Sequence, residues 1–165
     1  MGLESGGDEI LTRCRKGETA AQMVRAGVAA QAAGLRMSVM ILLGLGGRGR
    51  SREHTKRTAV ALNQMQPRLL SALRVIPIEG TELYDEEAGG RFRQLTEREV
   101  AQELRDLVDR LKLESTVFRA NHSSNVVPLG GRLPRDKERL LAELDQLLAS
   151  GTLDSDSPGP MPLWL

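Results

Sequence analysis

Four short stretches of this 165-residue chain hold the residue types that chemistry needs. Gly2-Leu3-Glu4-Ser5-Gly6 sets a carboxylate beside a hydroxyl in a glycine-flanked turn. Such a turn belongs at the carboxyl end of a buried strand, where side chains and backbone groups meet a ligand. Gly44 to Gly49 is a glycine-rich run behind an apolar segment, and Pro77 to Tyr84 is a second turn rich in Pro, Gly and Thr. Asn121-His122-Ser123-Ser124-Asn125 offers amides, hydroxyls and an imidazole suited to a substrate hydrogen bond or a proton transfer. A solvent-exposed loop histidine accounts for His122 more simply. Arg48, Arg50 and Arg52 could clamp a phosphate or carboxylate, or be solvated surface charges. His54, within a helical pattern, reads as a surface residue.

What is missing narrows the chemistry. Cys14 is the lone cysteine, so the chain by itself builds no internal disulfide and no multi-thiolate metal site. Gly44-Leu45-Gly46-Gly47-Arg48-Gly49 matches the G-x-G-x-x-G pattern, yet no Lys-Ser or Lys-Thr pair follows to make a P-loop. Against a dinucleotide site, Ser51 is the expected helix cap, which leaves the third glycine outside the helix. The first carboxylate after the next strand, Glu79, also comes late, and a helix already precedes the motif's strand. Lys plus Arg (23) nearly cancels Asp plus Glu (22), so no global field draws in nucleic acid or an anionic membrane. No basic-then-apolar leader and no membrane-length apolar run is evident, which makes the cytoplasm the expected location.

These residues need elements to place them. Thr19 and Gln22 form a capping box ahead of a helix to Ala33, with Gly34 as its stop. Val39 to Leu43 is continuously apolar, the pattern of a strand covered by helices on both faces. Thr55, Thr58, Ala59, Leu62 and Met65 make the stripe of a second helix, closed by Pro67. Leu69 to Ile76 reads as the next buried strand. Thr96 and Glu99 are a second capping box, opening a helix with Val100, Leu104, Leu107, Val108 and Leu111 on one face. Ser115 to Ala120 is a further strand. Pro134 suits the first turn of a last helix carrying Leu140, Leu141, Leu144, Leu147 and Leu148 inward. From Ser150 the Ser, Asp, Pro and Gly content predicts a flexible tail over 150–165, with Trp164 able to dock. The alternation predicts an α/β fold of parallel βαβ units over 1–149. Its ligand-facing rim is made of the loops Gly2 to Gly7, Gly44 to Arg50, Pro77 to Tyr84 and Asn121 to Leu133.

Three of these motifs, in order, resemble the radical S-adenosylmethionine (SAM) enzymes. Gly2-Leu3-Glu4-Ser5-Gly6-Gly7-Asp8-Glu9-Ile10-Leu11 is similar to the segment that follows their fourth strand. Val39 to Gly47 is similar to their fifth strand and its glycine turn, and Pro77 to Tyr84 to the turn after their sixth strand. The runs Asn121 to Asn125 and Gly131 to Lys137 also resemble a carboxyl-terminal region of one branch. The resemblance implies the carboxyl-terminal half of a TIM-like (β/α) barrel, a partial barrel holding a [4Fe-4S] cluster and SAM inside its rim. There the cluster cleaves SAM to a radical that abstracts hydrogen from a substrate; the hard chemistry is the cofactors'. It further implies Glu4, Ser5 and Gly6 at the ribose or methionine end, Leu42 and Gly44 against adenine, and Pro77, Gly80 and Thr81 along the adenosine wall. Plainer roles stand beside these: Glu4 as a helix-dipole carboxylate, Ser5 as a local cap, Thr81 as a turn residue. Gly7, Gly47 and Glu82 depart from the common family residues.

The family's C-x-x-x-C-x-x-C loop, which holds the cluster, lies before its fourth strand and has no counterpart in this sequence. Cys14 falls after the motif, in a helical region. The chain therefore reads as a second half whose first strand is replaced by Met1, leaving one edge of the Val39–Leu43 strand unpaired. Two functions follow as expectations. One is the SAM-adenosine side of a radical SAM enzyme, completed by an amino-terminal half-barrel from another chain. The other is a non-catalytic binding or partner-interaction domain on the same fold.

Overall fold

A computed structural model describes residues 1–159, so Trp164 lies outside the described residues. Its five-stranded sheet follows chain order: β1 (Gly2–Glu4), β2 (Ser38–Leu43), β3 (Leu69–Arg74), β4 (Thr116–Ala120) and β5 (Leu129–Leu133). The first four strands run parallel, and β5 is antiparallel to β4. The expectation of parallel strands throughout fails at this last one. Residues 129–133, assigned to a rim loop, instead form an edge strand whose Gly130 and Gly131 mask its pattern.

The strand before the first motif is also corrected. Gly2–Glu4 is itself β1, with Gly2 opposite Met40 and Glu4 opposite Ile41 across a bulge. Met40 N–H donates to Met1 O at 2.9 Å, so β2 has a neighbour on both sides. The short edge is β1.

Helices α2 (Ala20–Ala32), α3 (Gly47–Met65), α5 (Glu97–Arg110) and α6 (Lys137–Ala149) pack side by side in that order. They cover one face of the sheet. Val39, Ile41, Leu43, Leu70, Ala72, Phe118 and Ala120 point into that layer and meet Leu62, Met65, Leu104, Leu107, Leu140 and Leu144 in one core. Burial therefore alternates along β2, β3 and β4. The opposite face, with Met40, Leu42, Leu69, Leu73 and Val117, is only partly covered, and Met40 is 43% exposed. The continuous apolar run of β2 thus does not mark helices on both faces. A barrel strand also carries apolar residues on its inward side, which gives the same sequence pattern.

Both capping boxes form. Thr19 accepts from Gln22 N–H and Thr96 from Glu99 N–H, each with the reciprocal side-chain bond. Helix α3 begins at Gly47, four residues ahead of the expected cap at Ser51, so Gly49 lies inside it. Short helices α1 (Asp8–Arg13) and α4 (Glu82–Ala88) follow β1 and β3. Residues 150–159, expected as a tail, fold back: Ser157 O and Asp154 O accept from the first backbone N–H groups of α5.

Candidate functional site

Because β1, β2 and β3 are adjacent and parallel, their carboxyl ends form one rim. Glu4 to Gly7, Leu42 to Gly46 and Val75 to Thr81 meet there in that order. Strand order never reverses within the sheet, so it contains no switch-point crevice of the kind that receives a dinucleotide. That topology disposes of the dinucleotide reading. Ser51 has no bearing on it, since α3 begins at Gly47 and Gly49 is helical.

Glu4 carries the left-handed backbone of a bulged strand end, φ 57°. This conformation costs a non-glycine residue about 1–2 kcal/mol. Its carboxylate turns back over Gly2, on the sheet's open side, and accepts from Lys16 Nζ at 3.0 Å. Both groups keep partial access to water, 21% and 28% of their side chains. Glu4 thus puts a charged acceptor, paired with Lys16, on the rim.

Ser5 and Gly6 are placed differently. Ser5 is wholly buried: its Oγ accepts from Gly7 N–H at 3.0 Å and lies 2.9 Å from His54 Nδ1. Gly6 donates to Thr58 Oγ1, and a Cβ there would stand 2.2 Å from Arg57 O. Close approach of α3 therefore demands the glycine. Leu42 sits part-buried on the open face, while its carbonyl lies 3.0 Å from His54 Nε2. Gly44, at φ 78°, makes the tight turn after β2. Its N–H donates to Glu103 Oε1 at 2.6 Å. Pro77 is buried, Gly80 is exposed, and Thr81 caps α4 by accepting from Tyr84 N–H at 3.3 Å.

Two residues that organise this rim, His54 and Glu103, escaped the sequence reading. His54, expected at the surface, is 1% exposed. A carbonyl can only accept, so Nε2 must carry the proton donated to Leu42 O; Nδ1 then accepts from the Ser5 hydroxyl. Burial pushes the His54 pKa down to about 4, and the bond to Leu42 offsets only part of that shift. Glu103, on α5, accepts from Gly44 N–H and bonds Ser51 Oγ, with His54 Nε2 3.7 Å away. Burial raises its pKa to about 7, against the lowering effect of the Ser51 and Gly44 bonds. The helical stripes held the signal. His54 lies four residues before Thr58 on α3's inward face, and Glu103 lies three after Val100 and four before Leu107 on α5's.

A serine, histidine and glutamate in sequence would suit nucleophilic chemistry if a substrate could reach them. Ser5 is sealed beneath α3, so the trio fastens loops together. The stretch Asn121 to Asn125 is also fastened inward. Ser124 accepts from Arg74 N–H at 3.2 Å and bonds His122 Nδ1 at 2.9 Å, and Asn125 donates to Ala72 O at 2.8 Å.

Among the described residues, no group of three His, Cys, Asp or Glu side chains could hold a metal ion. Cys14 is exposed at the carboxyl end of α1, with its thiol pKa raised chiefly by burial. One such thiol does not fit an iron–sulfur cluster, which is held by several thiolates. On its open side the rim presents the Glu4 carboxylate and the part-buried Leu42 and Val75 side chains. Among the described residues no helix is long and apolar enough to cross a membrane.

No protein-family profile and no curated protein matches the chain by sequence. Its fold matches a solved structure of the archaeal Elp3 of Methanocaldococcus infernus, lacking that protein's residues 1–46, with a TM-score of 0.65. The likeness is one of fold. It extends over 88% of this chain at 19% identity, and the chain spans 35% of the Elp3 chain. The α/β architecture, with a mostly parallel sheet and its helices in one layer, is that of a partial TIM-like barrel.

Proposed function

We propose that the chain is the SAM-adenosine side of a radical SAM-type barrel. The carrying observation is positional: the three segments resembling that family's motifs lie at the carboxyl ends of three adjacent parallel strands, in the family's order. The Elp3 neighbour, a radical SAM family member, supports the same reading at the level of fold. Glu4 accepts from ligand hydroxyl or amino groups, while Leu42 and Gly44 lie against the base. Pro77, Gly80 and Thr81 shape the far wall.

The cluster that would cleave SAM needs thiolates from outside these 165 residues, supplied by an amino-terminal half-barrel. When bound, the cluster and SAM supply the radical that abstracts hydrogen. This chain contributes position and exclusion of water.

A second reading, a binding domain without catalysis, is favoured by one specific observation. The polar groups of Ser5, Gly6 and Gly44 are already satisfied by His54, Thr58 and Glu103.

Calorimetric titration with S-adenosylhomocysteine tests the residue assignment. Weak binding is expected, and Glu4→Ala should weaken it by about 1 kcal/mol, as for a partly exposed charged hydrogen bond. Equal affinity for the two proteins removes the Glu4 assignment, and no binding to either removes the adenosine reading.

A further inference from the structure

We propose that Glu103 is a positioning residue that couples the rim's first two loops, so that ligand affinity depends on a carboxyl group no ligand touches. The proposal rests on the reading of this rim as the adenosine site and adds its regulation. The geometry is a chain of close contacts, hydrogen-bonded at every step but the 3.7 Å one between Glu103 and His54. Gly44 N–H, at the turn after β2, donates to Glu103 Oε1 at 2.6 Å, and Ser51 Oγ holds the other oxygen. Glu103 Oε1 is 3.7 Å from His54 Nε2, which donates to Leu42 O. Across the ring, Nδ1 meets Ser5 Oγ, and Ser5 Oγ accepts from Gly7 N–H. One carboxyl group on α5 thus reaches both loops through α3.

Its surroundings decide which state it holds. The groups facing it are Gly44 N–H from the β2 turn and Ser51 and His54 from α3. On α5 itself Asp106 opposes ionisation. Among the described residues no Lys or Arg pairs with it, and its pKa stands near 7. Above that point the carboxylate makes charge-assisted bonds to Gly44 N–H and Ser51, which hold the turn more firmly. Below it the neutral acid keeps its proton, its O–H directed at Ser51 Oγ, and loses that charge assistance. A firmer rim binds a ligand at lower ordering cost, so affinity should rise with pH. His54 stays neutral over the same range, because its pKa is about 4.

Amide NMR of the whole chain, titrated from about pH 6 to about pH 8, reads the coupling without any ligand. The Gly44 and Gly7 amide resonances should move together with one midpoint near 7. Both should lose that midpoint in Glu103→Gln, which mimics the neutral acid. Calorimetry with S-adenosylhomocysteine at the two ends should show wild-type affinity rising about fivefold or more, with Glu103→Gln fixed at the weaker value. A Gly7 resonance that stays still while Gly44 moves overturns the proposal. So does a midpoint that survives in Glu103→Gln, or equal affinity at both ends. Amides that titrate together in a protein that binds no S-adenosylhomocysteine leave the coupling standing and remove the adenosine reading.

Discussion

At the scale of single residues, the buried pair His54 and Glu103 sets opposite demands on pH. Glu103 has a folded pKa of about 7 against an ordinary 4.5, so its contribution to stability is full below 4.5 and is lost as pH rises toward 7. His54 has a folded pKa of about 4 against an ordinary 6.5, so its contribution is full above 6.5 and is lost as pH falls toward 4. Between pH 4.5 and 6.5 the two slopes oppose, and the wild type should be nearly flat there. Glu103→Gln removes one slope. Its stability should then climb from pH 4.5 to 6.5 by on the order of 2–3 kcal/mol, from the His54 shift alone. Urea unfolding at several pH values measures this; a variant profile as flat as the wild type's would refute the opposing pair. Neither residue stood out in the sequence, because a charged side chain on an amphipathic stripe looks like an interruption until its buried partners are known.

At the scale of elements, what was legible follows from local chemistry. Thr19 with Gln22 and Thr96 with Glu99 are cap signals decided within four residues, and both form. Strands β2 and β3 were readable because each is a compact apolar run. The start of α3 was not. Its first turn is Gly47-Arg48-Gly49-Arg50, a poor helix former that tertiary contacts hold in place. Arg48 N–H donates to Arg93 O, and the Arg48 side chain pairs with Glu99 at 2.8 Å. Strand β5 was hidden for a similar reason: Leu129-Gly130-Gly131-Arg132-Leu133 is a strand only because β4 offers it an edge. The Thr96 cap is buried, and its loss should be felt directly. Thr96→Ala should cost about 1–2 kcal/mol, seen as a lower urea midpoint with an unchanged slope. An unchanged midpoint would mean that the Asp154 and Ser157 carbonyls already satisfy the first turn of α5.

For the whole molecule, the decisive property is that helices cover one face of the sheet and leave the other open. The order of the strands and the common side of the helices give this α/β unit the shape of a barrel segment. The sequence could not distinguish this arrangement from a sheet covered on both faces, because both bury apolar side chains on either side of a strand. Met40, Leu42, Leu69, Leu73 and Val117 line the open face, and each such side chain gains roughly 1.5–3 kcal/mol when fully buried. The isolated chain should therefore self-associate as concentration rises, and Met40→Lys should reduce that association. Light scattering behind size-exclusion chromatography reads it; a wild-type monomer at all concentrations would show that the face needs no cover.

Whether the carboxyl rim of this open face receives the adenosine end of SAM is read from the amide footprint of S-adenosylhomocysteine on the labelled chain. Shifts should be confined to residues 4–7, 42–46 and 75–81, with Met40 and Leu73 on the open face beside them. Shifts on the helical face around Arg52 and Arg110, or none at saturating ligand, would contradict it.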